Sequence, residues 1–236
     1  MTRRPPCSAF TLIEMLVVMA VIAILTGLIL SLNGLVQGNA ARSRAKSEIL
    51  YLSAACEQFK ADNGGYPQGS SYPPGPTGSG PFVTDLLDPN PKTDNSFGQT
   101  FDYNPNDYVP ANSKAVSLFL WQQLSGQLTS TNAAAAPSGT NYGGDFFTPT
   151  RLSETTNGQI VTVAYIMDPF GNPYGYSTAG LYSDQQYRAS VLATGTGTRM
   201  TAGYNPTFDL WSTGGATTAP VNSSGQLTTT PWVKNW

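Results

Sequence analysis

The segment Ala9–Leu25, AFTLIEMLVVMAVIAIL, is apolar at almost every position, yet it carries one carboxylate, Glu14, near its start. From Met15 to Leu32 only Thr26, Gly27 and Ser31 interrupt the apolar run. Counted from Phe10, the stretch 10–33 is long enough to span a bilayer as a helix, which takes about 20 residues. Arg3 and Arg4 precede it and no cation lies within it, a pattern that keeps the N-terminus in the cytoplasm and exports the remainder.

Three readings of this segment compete. A secretory signal peptide would end near the small residues Gly38-Asn39-Ala40, but the apolar stretch is longer than the usual hydrophobic region of such a signal. A plain membrane anchor leaves Glu14 unexplained, because a carboxylate within hydrocarbon costs about 2.5–3.5 kcal/mol even on lenient scales. A lipoprotein signal is excluded, since Cys7 precedes the apolar run. The third reading gives the acid a purpose. A short basic leader followed by Ala9-Phe10-Thr11-Leu12-Ile13-Glu14 and an unbroken apolar helix resembles the processing site of type IV pilins and pseudopilins. The resemblance implies a leader over residues 1–9. It implies cleavage between Ala9 and Phe10 by a prepilin peptidase, N-methylation of Phe10, and assembly of the mature chain into a filament. Ala9 stands where the family usually has Gly and keeps the residue small. Glu14 is then the fifth mature residue, the family's acid. A cationic amine on Phe10 and a carboxylate on Glu14 of a neighbour are each costly in an apolar medium, and they offset one another when paired. Pairing requires one stagger between helices, so Glu14 sets register as a buried polar residue does in a coiled coil.

Beyond the apolar run the pattern becomes amphipathic. Ala45, Ile49, Leu52, Cys56 and Phe59 follow a 4-3-4-3 spacing that makes one helical stripe. Arg42, Ser43, Lys46, Ser47, Glu57 and Lys60 fall mostly on other faces, and Arg42, Arg44 and Lys46 form a basic cluster that is read as a solvated face or as a partner for acids of a neighbouring subunit. Asp62-Asn63-Gly64-Gly65 ends the helix. At 1.5 Å per residue a helix from Phe10 to Asp62 is about 80 Å long. Gly34 and Gly38 are its weak points.

Three later segments extend the resemblance, in family order, to the major pseudopilin of type II secretion. They are DNGGYPQ (Asp62–Gln68), DPFGNPYGY (Asp168–Tyr176) and FDLWSTGG (Phe208–Gly215). With the N-terminus they cover well under half of the chain. Asn63, Gly64, Tyr66 and Pro67 form the first family turn, and Asp168, Pro169, Gly171, Asn172 and Pro173 the second. Tyr174–Ser177 and Thr207–Ser212 read as short strands that pair in a small antiparallel sheet over the Ile49, Leu52 and Phe59 stripe. The expected fold is therefore α+β and type IV pilin-like: a long N-terminal helix, half of it transmembrane, packed on a small antiparallel sheet. The exported domain is read as residues 34–236, with a loop-rich insertion over 68–160. The insertion opens on the Pro-rich GSSYPPGPTGSGP (Gly69–Pro81) and contains one helix, with Ser113 as N-cap, an apolar set at Val116, Leu118, Phe119, Leu120, Trp121 and Leu124, and Gly126 as its stop. It is expected to decorate the sheet. A second expansion lies between Leu181 and Asn205.

Composition removes whole function classes. The chain has no histidine, which excludes a Ser-His-Asp triad, a Cys-His pair and His-ligated zinc. A net charge of −2 argues against nucleic acid as a partner. Only 11% of residues are charged, well below the ~25% of ordinary soluble domains. No constellation supports catalysis. Cys7 and Cys56 flank the membrane segment and are not read as a disulfide, and Cys56 is expected as a small buried hydrophobe. Major pseudopilins usually bind calcium after the strand that corresponds to Phe208–Ser212, but nothing after Asp209 is acidic, so the calcium site is not carried over and no cofactor or metal is expected. Hydrogen bonds and the pair Trp232 and Trp236 are expected to fix this end. The five aspartates Asp85, Asp88, Asp94, Asp102 and Asp107 fail the EF-hand spacing and read as turn formers.

The resemblance implies these partners: copies of the chain and other pseudopilins, the peptidase and methylase, an inner-membrane platform protein and its assembly ATPase. It also implies a single-pass inner-membrane protein with a periplasmic domain before assembly. Two alternatives stand beside it. One is a type IV minor pilin of a surface filament, against which the lack of a C-terminal Cys pair weighs. The other is a membrane-tethered glycan-binding module using Tyr66, Tyr72, Tyr103, Tyr108, Trp121 and Tyr142.

Overall fold

The computed structural model describes residues 11–69, 84–85, 87–90, 113–127, 139–157, 160–197, 199, 202–216, 218, 223, 228–229 and 231–236, without the side chains of 28–36, 156 and 160–161. The chain divides into two compact units, Met1–Ala41 and Arg42–Trp236. Helix α1, Leu12–Asn63, contributes to both.

In the first unit the described side chains of α1 lie open: Leu12 is 83% exposed and Met19 67%. Among the described residues no helix is long and apolar enough to cross a membrane. The span expected over 10–33 runs into residues 28–36, whose side chains lie outside the described set.

The second unit is α+β. Its elements follow α1 in the order α2 (Lys114–Ser125), two 3₁₀ turns (Gly144–Phe146 and Pro149–Arg151), β1 (Leu152–Asn157), β2 (Ile160–Ile166), β3 (Gly175–Ser177), α3 (Ala179–Thr194), β4 (Asp209–Ser212) and β5 (Val233–Lys234). Strands β1 and β2 form an antiparallel hairpin with a register shift at Ser153/Glu154. A second antiparallel sheet has the order β3-β4-β5. The two strands expected around Tyr174 and Phe208 are thus present and paired, Tyr176 opposite Leu210.

The stripe of α1 is buried as its spacing demands: Ala45, Ile49, Leu52 and Cys56 are at most 2% exposed. Phe59 is half-buried and meets the Tyr142 ring edge-on at 5.3 Å. The same buried core holds Tyr174, just before β3, and Tyr176, Leu210 and Trp211 of the second sheet. Gly175 must be glycine, because a Cβ there would collide with the Trp211 indole. Helix α1 ends where expected, with Gly64 at φ 77° and its N–H donating to the Lys60 carbonyl at 2.8 Å.

Three features differ from expectation. The described part of the insertion does more than decorate: Val116, Leu120, Trp121 and Leu124 of α2, with Leu152, Val163 and Ile166 of the hairpin, belong to the same core as Ile49 and Leu52. Ser113 occupies the N-cap of α2 but its side chain makes no capping bond, while Gly126 ends the helix in the left-handed region as read. Helix α3 fills much of the second expansion without any sequence stripe to announce it. Only Ala179, Gly180 and Ser183, all near its N-terminal end, are buried, so the later turns need no apolar face.

The C-terminal residues are fixed by ring stacking and hydrogen bonds. Trp232 stacks on Trp211 at 5.5 Å, Trp236 on Tyr204 at 4.5 Å, and Leu210 N–H donates to Asn235 Oδ1 at 2.9 Å. The Leu120→Ala variant should lower the free energy of unfolding by about 2–5 kcal/mol in urea denaturation, whereas Leu192→Ala, at a fully exposed site of α3, should change it by less than about 0.5 kcal/mol.

Candidate processing and assembly site

The scissile pair Ala9 and Phe10 lies outside the described residues. The residues that follow it are ordered by a reciprocal set of bonds. Thr11 precedes the first residue of α1 and donates both its N–H and its hydroxyl to Glu14 Oε2, each at 2.8 Å. The Glu14 N–H returns to Thr11 Oγ1 at 3.4 Å. This is a capping box: an N-cap threonine and an acid three residues on satisfy each other's backbone donors. Its signature, Thr-x-x-Glu before an apolar run, is present in the sequence at 11–14, where the charge of the acid is conspicuous and Thr11 is not. Within a single chain Glu14 therefore already has one task, and its Oε1 takes no part in these bonds.

At the start of the second unit the basic cluster divides. Arg44 Nε donates to Glu48 Oε1 at 2.8 Å, one helical turn on. Arg151 Nε lies 3.3 Å from the same oxygen, and its guanidinium sits over the Phe146 ring at 4.6 Å. Tyr174 Oη donates to Glu48 Oε2 at 2.7 Å. Glu48 is 4% exposed, so this pairing supplies what burial of its charge requires. Burial, with Glu48 beside it, pushes the Tyr174 hydroxyl far above the ordinary tyrosine range, which keeps it a donor. Arg44, Ser47, Tyr51, Phe146 and Arg151 open onto a cleft of about 350 Å³ with Glu48 in its wall. Arg42 and Lys46 remain exposed. Neither Glu48 nor Tyr174 was singled out by sequence; an acid on the flank of a helical stripe looks like any solvated residue.

Residues 63–67 and 168–173 build two turns that brace this helix. Tyr66 is buried; its hydroxyl donates to Glu57 at 2.9 Å and accepts from Lys60 at 3.0 Å, and its ring meets Phe208 edge-on at 5.1 Å. The Pro67 carbonyl accepts from Tyr176 Oη at 2.8 Å. Asn63 Nδ2 donates to the Phe59 carbonyl at 2.9 Å and to Tyr142 Oη at 3.0 Å. In the second turn Asp168 is the centre. Its Oδ1 accepts the N–H groups of Phe170 at 2.9 Å and Asn172 at 2.7 Å, and its Oδ2 accepts from Ser212 of β4. Pro169 occupies the second position of a β-turn closed by Gly171 N–H to the Asp168 carbonyl at 3.0 Å, with Gly171 at φ 85°. Asn172 reaches Thr213 Oγ1 at 3.3 Å, and Pro173 pairs with Met167 in an isolated bridge. Burial holds the Asp168 carboxyl above its usual range. The contacts of these residues lie mainly within their turns and with α1, β3 and β4.

Asp88 and Asp209 repeat the device around one loop. Asp88 Oδ1 accepts from the N–H groups of Asn90 and Gly203 at 2.8 Å, and Asp209 accepts from those of Tyr204 at 2.8 Å and Asn205 at 2.9 Å. Asp88 is thus a turn former as read; Asp94, Asp102 and Asp107 lie outside the described residues. Among the described residues no group of three or more His, Cys, Asp or Glu is arranged to hold a metal ion. Cys56 is a buried free thiol, pushed far up by burial. Of the aromatic residues weighed for glycans, Tyr66 and Trp121 are buried and Tyr142 packs on Phe59, while Tyr72, Tyr103 and Tyr108 lie outside the described residues.

Burial pushes Asp88 and Asp209 up to about 6 from 3.8, and Asp88 adds to the shift of Asp209. With folded values above unfolded ones, the folded chain binds more protons between these limits, so their contribution to stability is fully present below about 4 and is lost as pH rises through about 6. Urea unfolding should therefore show stability falling from pH 4.5 to pH 7, and Asp209→Asn should flatten that slope.

Residues 4–30 match the family described as the prokaryotic N-terminal methylation motif. The match contains the capping box and the apolar start of α1, and it supports a prepilin-type, pilin-like protein with an N-terminus of the processed and methylated kind. No curated protein and no solved structure was found similar to the chain.

Proposed function

We propose that this chain is a structural subunit of a type II secretion pseudopilus. It is inserted in the inner membrane with its N-terminus in the cytoplasm and its C-terminal domain in the periplasm. A prepilin peptidase cuts it before Phe10 and the new amine is methylated. The mature chain then polymerises through α1 with copies of itself and other pseudopilins, driven by a platform protein and its ATPase. The protein acts mechanically, not as an enzyme. The observation that carries this reading is the methylation motif over residues 4–30, whose one acid, Glu14, is five residues into the mature chain when counted from Phe10. The choice of secretion over a surface pilus is favoured by the three type II-like segments, which in the fold are the C-terminus of α1, the Asp168 turn leading into β3, and β4.

The test is the mass of the N-terminal peptide after expression of the full chain with and without a prepilin peptidase. The expected product begins at Phe10 and carries one added methyl. An uncut chain, or one cut near Ala40, overturns the reading. In the cut chain, Glu14→Leu should abolish filaments seen by electron microscopy; normal filaments and an unchanged secretome would remove the register role from Glu14.

A further inference from the structure

We propose that the cleft between α1 and the two 3₁₀ turns is a binding site for a single carboxylate carried on an apolar stem, with Arg151 as the residue that takes the charge. The cleft, of about 350 Å³, has Arg44, Glu48 and Tyr51 of α1 on one side and Asp145, Phe146 and Arg151 of the turns on the other. All six belong to the second unit, so the site is independent of how the N-terminus is processed.

Arg151 is one cation more than the buried acid needs. Glu48 Oε1 accepts from Arg44 Nε at 2.8 Å and Oε2 from Tyr174 Oη at 2.7 Å, so one cation and one hydroxyl already satisfy both oxygens. Arg151 Nε lies 3.3 Å from Oε1, yet it is buried and donates no hydrogen bond among the described residues. Two guanidiniums thus share one carboxylate, and the group holds a net positive charge beside the cleft. Arg42 and Lys46, exposed on α1, add to that field, and Asp145, exposed at the rim, opposes it. A second cation in a partly desolvated wall is unfavourable until it is paired, and an anion entering the cleft pairs it.

The side chains of Arg44 and Arg151 are 54% and 31% exposed, and among the described residues neither makes a hydrogen bond from its terminal Nη atoms. Those atoms form the planar fork that meets a carboxylate through two parallel bonds. One excess charge suits a monoanion, whereas a phosphate dianion or a longer polyanion would also face Glu48 and Asp145. The rest of the wall is apolar. The Tyr51 and Phe146 rings lie nearly parallel, 5.1 Å apart at 16°, and the Arg151 guanidinium covers Phe146 at 4.6 Å. The Tyr51 hydroxyl donates to the Gly143 carbonyl at 3.2 Å, which holds the ring in place. A carboxylate on a hydrocarbon or ring stem therefore finds a place for both its charge and its stem. A small free acid and the acidic side chain of another protein molecule share that chemistry.

The test is titration of the full chain, in non-ionic detergent micelles, with benzoate, followed through the Nε–Hε signals of Arg44 and Arg151. Benzoate should shift both signals with a Kd of about 1 mM, as suits an acid of this size. Benzamide, of the same shape without the charge, should bind about tenfold more weakly. Arg151→Gln should weaken benzoate by about tenfold, and Arg151→Lys, which keeps the charge but not the fork, should recover only part of that loss. Asp145→Asn, at an exposed position, should tighten binding about twofold. Acetylglutamate amide then identifies the source: competition with benzoate assigns the cleft to an acidic side chain of another protein molecule, and its absence assigns the cleft to a free acid. A wild-type chain whose arginine signals ignore benzoate overturns the proposal. Equal binding of benzamide overturns it too, since the cleft would then select the stem alone. So does wild-type affinity in Arg151→Gln. Should that variant unfold, Asp145→Asn decides, and benzoate binding there that is unchanged or weaker overturns the proposal.

Discussion

Ile49, Leu52 and Cys56 of α1 are sealed against Tyr174, Tyr176 and Leu210, while Leu12 to Leu25 of the same helix lie open in the single chain. Burial of a side chain such as Leu or Ile is worth about 1.5–3 kcal/mol relative to leaving it exposed. The second half of α1 thus has its partner within the second unit, whereas the described apolar side chains of the first half have no cover within their own unit. In the proposed function a bilayer and then a filament core would supply it. Tyr66 and Pro67 brace the C-terminus of α1, and the Asp168 turn delivers Tyr174 to Glu48.

Few charges are available, and the buried ones are used as centres of hydrogen bonding. Asp168, Asp88 and Asp209 each gather backbone N–H groups of a neighbouring turn, and Glu48 accepts from Arg44 and Tyr174 with the Arg151 guanidinium at ion-pair distance. A buried carboxylate is tolerable only when its oxygens are satisfied, and each of these is satisfied by groups that would otherwise be unpaired donors. The result is a loop-rich domain whose loops are tied at identifiable points. It also carries a cost that depends on proton concentration, since the same burial raises the carboxyls at Asp88 and Asp209 to about 6.

Sequence patterns revealed the parts governed by periodicity or by turn chemistry. The α1 stripe, its stop at Gly64, α2 with its stop at Gly126, the Asp168 turn and the β3–β4 pair all have a local cause that residues display. The hairpin β1–β2 was legible in principle, because Asn157-Gly158 between two runs is a hairpin signal. It was hidden by the polar stretch Ser153–Asn157, where alternation is weak. Helix α3 has its fully buried residues, Ala179, Gly180 and Ser183, only at its N-terminal end, so no long apolar stripe marks it in the sequence. The role of α2 in the core was invisible for a different reason: an apolar helix face shows that it is buried, not what it is buried against. At the candidate site, Glu14 was found because an acid in an apolar run is an anomaly, whereas Thr11, ordinary in itself, acquires meaning only from its spacing to that acid.

Glu14 meets one demand in the single chain, and the proposed filament would set it a second. In the single chain its Oε2 closes the helix cap, a local task that any Thr-x-x-Glu start could assign to it. A cap alone does not explain why a carboxylate should be kept beside an apolar helix, since glutamine serves a capping box as well and carries no charge to desolvate. The charge is informative because it is more than the cap requires. Its remaining oxygen is directed at no group of its own chain among the described residues. A cationic amine one residue before Thr11, produced by cleavage, is the partner whose charge would make retention of the acid favourable, and a neighbouring copy is the source that would also fix a stagger. In the proposed filament the cap and such a pairing would share one residue without competing for the same oxygen.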